Sequence, residues 1–290
     1  DNNKFASVGY DKTCFLWDVS TGNIIRKFQQ HTQRINTVAL NAENSLCFTG
    51  SYDKSVCVWD IRAYHSYTPV QSLNEARDSI SSINITDYEI ITSSIDGVLR
   101  TYDMRAGLMH TDDTSHAIVY TRISNNQKLL VSNVLRSNSG ITPVGSNTNT
   151  NTNNTSGSIL LTEKSTGRLL HEYMGHQHRQ YKIECMLCNN DSLLITGGED
   201  GVLTVYDVVR GSTSRSSISL TPPPPPTNST TNPNTNSTNA NIPSTTATSS
   251  SNIGISSIDM NNKHNHTHNP LTLICAGYNG TAHVYNVKYR

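Results

Sequence analysis

Four groups of side chains in this 290-residue sequence have types that could do chemistry. His31, Ser51 and Asp53 supply a nucleophile, a base and a carboxylate, the parts of a hydrolase. Cys185 and Cys188 form a C-x-x-C pair, and His264, His266 and His268 alternate along one short stretch; both patterns occur in metal sites. Pro222–Pro226 has the form of a polyproline ligand. The first three groups each lack something their chemistry requires. A nucleophile must lie open to substrate beside an oxyanion site, whereas Ser51 and Asp53 flank a tight turn between apolar runs and are expected to be buried. Cysteines three apart on a strand face opposite sides, and a polar loop gives three histidines no further fixed ligand. No glycine-rich phosphate loop precedes a helix. No catalytic, cofactor-binding or metal-binding residues are expected, and no enzyme activity.

What positions His31, Ser51 and Asp53 is a repeat. An Asp, five residues, an aromatic and an acid or amide recur as Asp11 to Trp17-Asp18, Asp53 to Trp59-Asp60, Asp96 to Tyr102-Asp103, Asp200 to Tyr206-Asp207 and Asn279 to Tyr285-Asn286. The first intervals are 42 and 43 positions, and the third, 104, is two periods plus an insertion. That period is the length of four short strands with their turns, one blade of a β-propeller. Runs such as Leu46–Ser51 and Val56–Trp59 are short, β-branched or aromatic, and closed by Gly, Asp or Asn, which reads as strand. The pattern predicts 22 strands. Three lie over 5–9, 13–17 and 24–28, four begin near each of Ile35, Ile80, Ala117 and Tyr181, and three lie near Ile255, Leu271 and Ala282.

Composition narrows the function. The 22 Lys and Arg balance 22 Asp and Glu, which argues against a protein that neutralises phosphates, so direct sequence-specific nucleic-acid binding is not expected. No window of 18 apolar residues exists, and the opening Asp1-Asn2-Asn3-Lys4 is not a signal sequence. The expectation is no membrane, no small-molecule substrate and a cytoplasmic and nuclear location. The six cysteines sit in apolar runs and are expected to be buried thiols. Two stretches, 137–158 and 212–252, carry Arg215 as their only charge. Rich in Asn, Thr, Ser and Pro, they are expected to be disordered inserts in a single domain spanning 1–290.

On these residues the chain resembles the WD-repeat family: Trp17-Asp18 and Trp59-Asp60 are the namesake dipeptides and Gly175-His176 the matching upstream element. The resemblance implies an all-β, seven-bladed propeller and a buried tetrad of His31, Ser51, Asp53 and Trp59, degraded in the other repeats. Seven blades need 28 strands, so the first blade and part of the second are expected to be absent ahead of Asp1. Glu75-Ala76-Arg77-Asp78 through Asp96-Gly97 to Tyr102-Asp103-Met104-Arg105, with Gly9-Tyr10-Asp11 and Glu199-Asp200-Gly201, is similar to the mitogen-activated protein kinase organiser family of WD-repeat proteins. That likeness implies a non-enzymatic scaffold, with partners in a MAP kinase module and the spliceosome. An alternative, a substrate receptor of a cullin-RING ubiquitin ligase, is suggested by Trp59-Asp60-Ile61-Arg62 and Tyr102-Asp103-Met104-Arg105, where Arg62 and Arg105 would meet the ligase adaptor.

Partner-binding candidates follow from the turns. The residue before the turn Asp or Asn is tyrosine at Tyr10, Tyr52 and Tyr278, placed at the blade rim, and Arg34, Arg77 and Arg179 lie in loops that enter blades. Exposed tyrosines on a rigid rim suit protein recognition.

Overall fold

The computed structural model describes residues 3–63, 67–136, 157–188, 190–210, 216–219, 254–260, 271–277 and 282–287. Among them no helix occurs, and 22 strands form six antiparallel sheets. The first sheet holds β1 (Lys4–Val8), β2 (Thr13–Asp18) and β3 (Ile24–Gln29). The second holds β4 (Ile35–Leu40), β5 (Leu46–Ser51), β6 (Val56–Asp60) and β7 (Gln71–Leu73). The third holds β8 (Ile80–Ile85), β9 (Glu89–Ser94), β10 (Val98–Asp103) and β11 (Leu108–Asp113). In the fourth are β12 (Ala117–Ile123), β13 (Leu129–Leu135), β14 (Ser158–Glu163) and β15 (Leu169–Tyr173). The fifth comprises β16 (Cys185–Cys188), β17 (Leu193–Thr196), β18 (Val202–Asp207) and β19 (Ser216–Ser219), and the sixth β20 (Ile255–Met260), β21 (Leu271–Gly277) and β22 (Ala282–Val287).

Within each sheet, strands pair in chain order, and β1, β4, β8, β12, β16 and β20 contact one another in succession. The Lys182 ammonium, just before β16, donates to the Asn36 carbonyl on β4 at 3.3 Å, so the stack curves round an axis and brings distant sheets together. This is the arrangement of a β-propeller.

The core lies between sheets. Cys14, Leu16 and Phe28 pack on Ile35, Cys47 and Trp59 between the first and second, and Phe48 and Val58 on Ile80 and Ile83 between the second and third. Gly50 permits that approach, since a Cβ there would meet the Ile80 side chain at 2.5 Å. Burial falls outward: β5 is almost wholly buried, while five of the six residues of β11 are exposed. The inner strands β4, β8, β12 and β20 share one irregularity, a register shift after their first or second residue, and this repeating bulge was not foreseen.

Three boundaries differ from the sequence reading. The fifth sheet starts at Cys185 rather than near Tyr181, because residues 179–181 are drawn into a loop whose three amides point at Glu199. Inside the stretch 212–252 expected to be disordered, Ser216–Ser219 pairs with Val202–Val205 as an outer strand. A low-charge Ser-Ser-Ile-Ser run still carries the backbone donors and acceptors an edge needs. Gly157 and Ser158 also belong to the fold, Ser158 opening β14, while 137–156 and 220–252 lie outside the described residues. All six cysteines are buried thiols; Cys185 and Cys188 join different clusters on opposite faces of β16, and burial pushes the Cys185 thiol up to about 12.

Candidate functional site

The second sheet contains one sealed polar network. The Trp59 indole donates to Thr49 Oγ1 at 2.9 Å, His31 Nε2 lies 2.8 Å from the same oxygen, and His31 Nδ1 lies 3.0 Å from Asp53 Oδ2. A neutral His31 protonated on Nδ1 satisfies every member: it donates to Asp53 and accepts from Thr49. Asp53 also accepts from the Ser55 hydroxyl at 2.5 Å and the Thr32 amide at 2.9 Å. Burial works against ionisation of Asp53, but the Ser55 hydroxyl, the Thr32 amide and His31 outweigh it and hold its carboxyl below the usual range.

The hydroxyl in this tetrad is therefore Thr49, not Ser51. Trp59 pairs with Cys47, so its indole reaches diagonally to Thr49 two residues on. Ser51 lies beyond, at the turn, where its hydroxyl donates to the Arg34 carbonyl at 2.8 Å and accepts from the Asp53 amide at 3.1 Å. Thr49, His31 and Asp53 reproduce the order nucleophile, base, carboxylate, but Thr49 is fully buried and its oxygen is already engaged by Trp59. No substrate carbonyl can reach it.

The other sheets close the same turn with other donors. In the third, buried Arg100 grips Asp96 bidentately, at 2.8 and 3.3 Å, and the Tyr102 hydroxyl donates to Glu75 at 2.9 Å. In the fifth, Glu199 rather than Asp200 takes the loop amides of Arg179, Gln180 and Tyr181, at 2.9, 2.7 and 2.9 Å. The Tyr206 hydroxyl donates to the Met174 carbonyl at 3.2 Å, beside His176.

Among the predicted partner-binding residues, the structure brings three together. The Arg34 guanidinium lies between two rings, 5.2 Å from the Tyr10 centroid and 4.8 Å from that of Tyr52, and donates to the Tyr10 hydroxyl at 2.6 Å. Tyr10 is 79% exposed and Tyr52 48%. The main chain beneath is fastened on both sides: the Tyr52 amide donates to the Arg34 carbonyl, and the Ile35 amide to the Gly9 carbonyl, each at 3.0 Å. Such a stack contributes about 0.5–1 kcal/mol per exposed cation–ring contact. Tyr10, Tyr52 and Arg34, with Lys12 and Gln33, line a shallow groove of about 390 Å³.

Arg77 and Arg179 are exposed in loops of two other sheets, their amides donated to Asp96 and Glu199, and Tyr278 lies outside the described residues. Arg62 folds back towards Asp60 at 3.6 Å, and Arg105 stacks 3.6 Å over the Tyr88 ring. His264, His266 and His268 also lie outside the described residues. Thr49, Arg100, Lys12 and Gln33 were missed. Thr49 lies diagonal to Trp59 only through the register that β5 takes against β6, while Lys12 and Gln33 stand two and one positions from the rim candidates Tyr10 and Arg34.

The family described as "WD domain, G-beta repeat" matches residues 22–60 and 167–207. Each match runs from the outer strand of one sheet through three strands of the next, so every repeat stitches two sheets together. The chain is 30% identical over 240 residues to "WD repeat domain-containing protein 83 homolog" of Dictyostelium discoideum, covering 73% of this chain and 67% of that protein. It is 38% identical over 144 residues to "WD repeat domain-containing protein 83" of Rattus norvegicus, covering 50% of this chain and 39% of the rat protein. With "Guanine nucleotide-binding protein subunit beta" of Zea mays it shares 35% over 105 residues, covering 33% of this chain and 27% of the maize protein. Repeat period, sheet topology, the Trp59–Thr49–His31–Asp53 network and these relatives agree: the chain belongs to the WD-repeat family.

Proposed function

We propose that this protein is a non-catalytic adaptor that holds other proteins on the exposed rim of its propeller. The observation that carries this reading is a contrast in exposure. The only nucleophile–base–carboxylate series described, Thr49–His31–Asp53, is sealed inside a sheet, while aromatic and cationic side chains are displayed on a fastened backbone at Tyr10, Arg34 and Tyr52. Tyrosine has few rotors to freeze on binding, and tyrosine and arginine recur as interaction hot spots.

The likeness of Glu75–Asp78 and Asp96–Arg105 to the mitogen-activated protein kinase organiser family supports a finer assignment. The partners are kinases of a mitogen-activated cascade and components of the pre-mRNA splicing machinery, met in cytoplasm and nucleus. The test is affinity capture of the tagged full-length protein from both compartments, with wild type beside Arg34→Gln/Tyr52→Ala and Arg62→Gln/Arg105→Gln. Kinase and splicing components are expected with wild type and with the Arg62/Arg105 variant, and reduced with the rim variant. Capture of neither group, or dependence on Arg62 and Arg105 alone, contradicts the reading.

A further inference from the structure

We propose that the groove over Tyr10, Arg34 and Tyr52 binds an extended acidic segment of a partner protein, with an Asp or Glu carboxylate seated between Arg34 and Lys12. The assignment rests on the adaptor reading and names the chemistry of one of its partners.

Charge is the first argument. Lys12 and Arg34 line the groove with Tyr10, Gln33 and Tyr52, and none of the five is acidic. Lys54, in the corresponding turn of the second sheet, follows Tyr52 by two positions. Among the described residues, none of these three cations has an ion-pair partner. The neighbouring Asp11 turns its carboxylate to the Thr13 amide at 3.3 Å. By contrast, Arg100 and Arg136 each pair with a carboxylate of this chain.

The second argument is presentation. Arg34 is clamped between two rings and has one acceptor, Tyr10, while its buried Nε has none. A planar cation already held in place loses little freedom when an anion docks. Nη1 is committed to Tyr10, and Nη2 and the Lys12 ammonium, whose residues line the same groove, are donors of a kind that suits the two oxygens of one carboxylate.

The third is backbone conformation. At the turn position after the Asp, the third and fifth sheets use Gly97 and Gly201, with φ of 84° and 74°. The first and second place Lys12 and Lys54 there, at 61° and 73°. Left-handed backbone favours glycine, and the two lysines set a cation at the turn of each of two adjacent rims. The chain's own insertions are poor occupants, since 137–158 and 212–252 contain no Asp or Glu. The carboxylate has to come from elsewhere.

The experiment uses the full-length protein and an array of 12-residue peptides with Glu at alternate positions, their Gln counterparts and their phosphoserine counterparts. Wild type is expected to retain Glu peptides, with at least a tenfold loss on Glu→Gln and a further fall with added salt. Arg34→Gln and the double change Lys12→Gly/Lys54→Gly should each lose retention tenfold or more. The glycine variant tests the site without threatening the fold, because glycine accepts the left-handed turn. Thermal unfolding of each variant verifies this. Retention that ignores Glu→Gln, that survives in both folded variants, or that needs phosphoserine overturns the proposal. Concentration-dependent self-association abolished by Arg34→Gln also overturns it, making a second copy the occupant. If protein partners are still captured while the array gives any of these results, the groove assignment fails alone. If no partners are captured either, the adaptor reading fails with it.

Discussion

In the second sheet the turn carboxylate, Asp53, is met by His31 from the preceding loop; in the third, Asp96 is met by Arg100 from its own hairpin. Both carboxylates also accept a loop amide, from Thr32 and from Arg77. What the fold conserves between the sheets is a satisfied carboxylate that ties the loop to the turn, and the donor is interchangeable. The two donors differ in one respect that matters energetically. His31 can be neutral, while a guanidinium stays charged at any accessible pH.

That difference gives the largest expected effect. Asp96→Ala leaves the Arg100 side chain, 5% exposed, charged and unpaired, and should cost about 3–5 kcal/mol in denaturant unfolding. Asp53→Ala leaves a neutral imidazole N–H without its acceptor, and should cost about 1–3 kcal/mol. Replacing the third-sheet pair together, Asp96→Leu with Arg100→Met, should recover most of the loss. Equal costs for the two alanine variants would break the comparison.

Next is the choice of hydroxyl in the second sheet. Thr49→Val strips the Trp59 N–H and His31 Nε2 of their partner and should cost about 1–3 kcal/mol. Ser51→Ala loosens the turn and should cost about 1 kcal/mol or less. Thermal unfolding of the two variants side by side decides which residue completes the network.

The pH dependence sharpens the same comparison. The carboxyls of Asp53 and Asp96 are held below their ordinary range, burial being outweighed by Ser55, Thr32 and His31 in one case and by Arg100, Arg77 and Val98 in the other. A depressed folded-state value means that the unfolded chain takes up protons first. The stabilisation is therefore complete above the unfolded value of about 4 and drains away as pH falls below it. Urea midpoints measured from neutral pH down to about pH 3 should fall for wild type and fall less steeply for Asp53→Asn.

How much of this was legible in the sequence varies with the physics involved. The fixed spacing from turn Asp to aromatic placed the strands within a few residues, because alternation and turn chemistry are local. The cysteines of β16 were rightly set on opposite faces by strand period alone. The tetrad hydroxyl was misassigned because two hydroxyl residues share one face of β5, and which of them meets Trp59 depends on the register with β6. Arg100 was passed over, since an arginine on a strand reads as a solvated charge until its carboxylate is located. The outer strand Ser216–Ser219 was hidden by composition: an edge strand needs backbone pairing more than apolar side chains. The smallest expected effect follows from that correction. Replacing 220–252 by a short Gly/Ser bridge, with 216–219 kept, should change stability by roughly 0.5 kcal/mol or less, whereas a deletion from 212 removes a paired strand and should cost more.

The central claim is that the sealed network serves the fold and the tyrosine–arginine groove serves binding. Melting curves recorded with and without the best-retained Glu peptide test it most directly, because a ligand of the native state raises the melting temperature. Wild type and Thr49→Val should both shift upward with peptide, Thr49→Val from a lower starting point, while Arg34→Gln, which gives up two exposed ring contacts, should melt slightly below wild type and not shift at all. An unchanged peptide shift in Arg34→Gln, or a peptide-free melting temperature as low as that of Thr49→Val, would contradict the account.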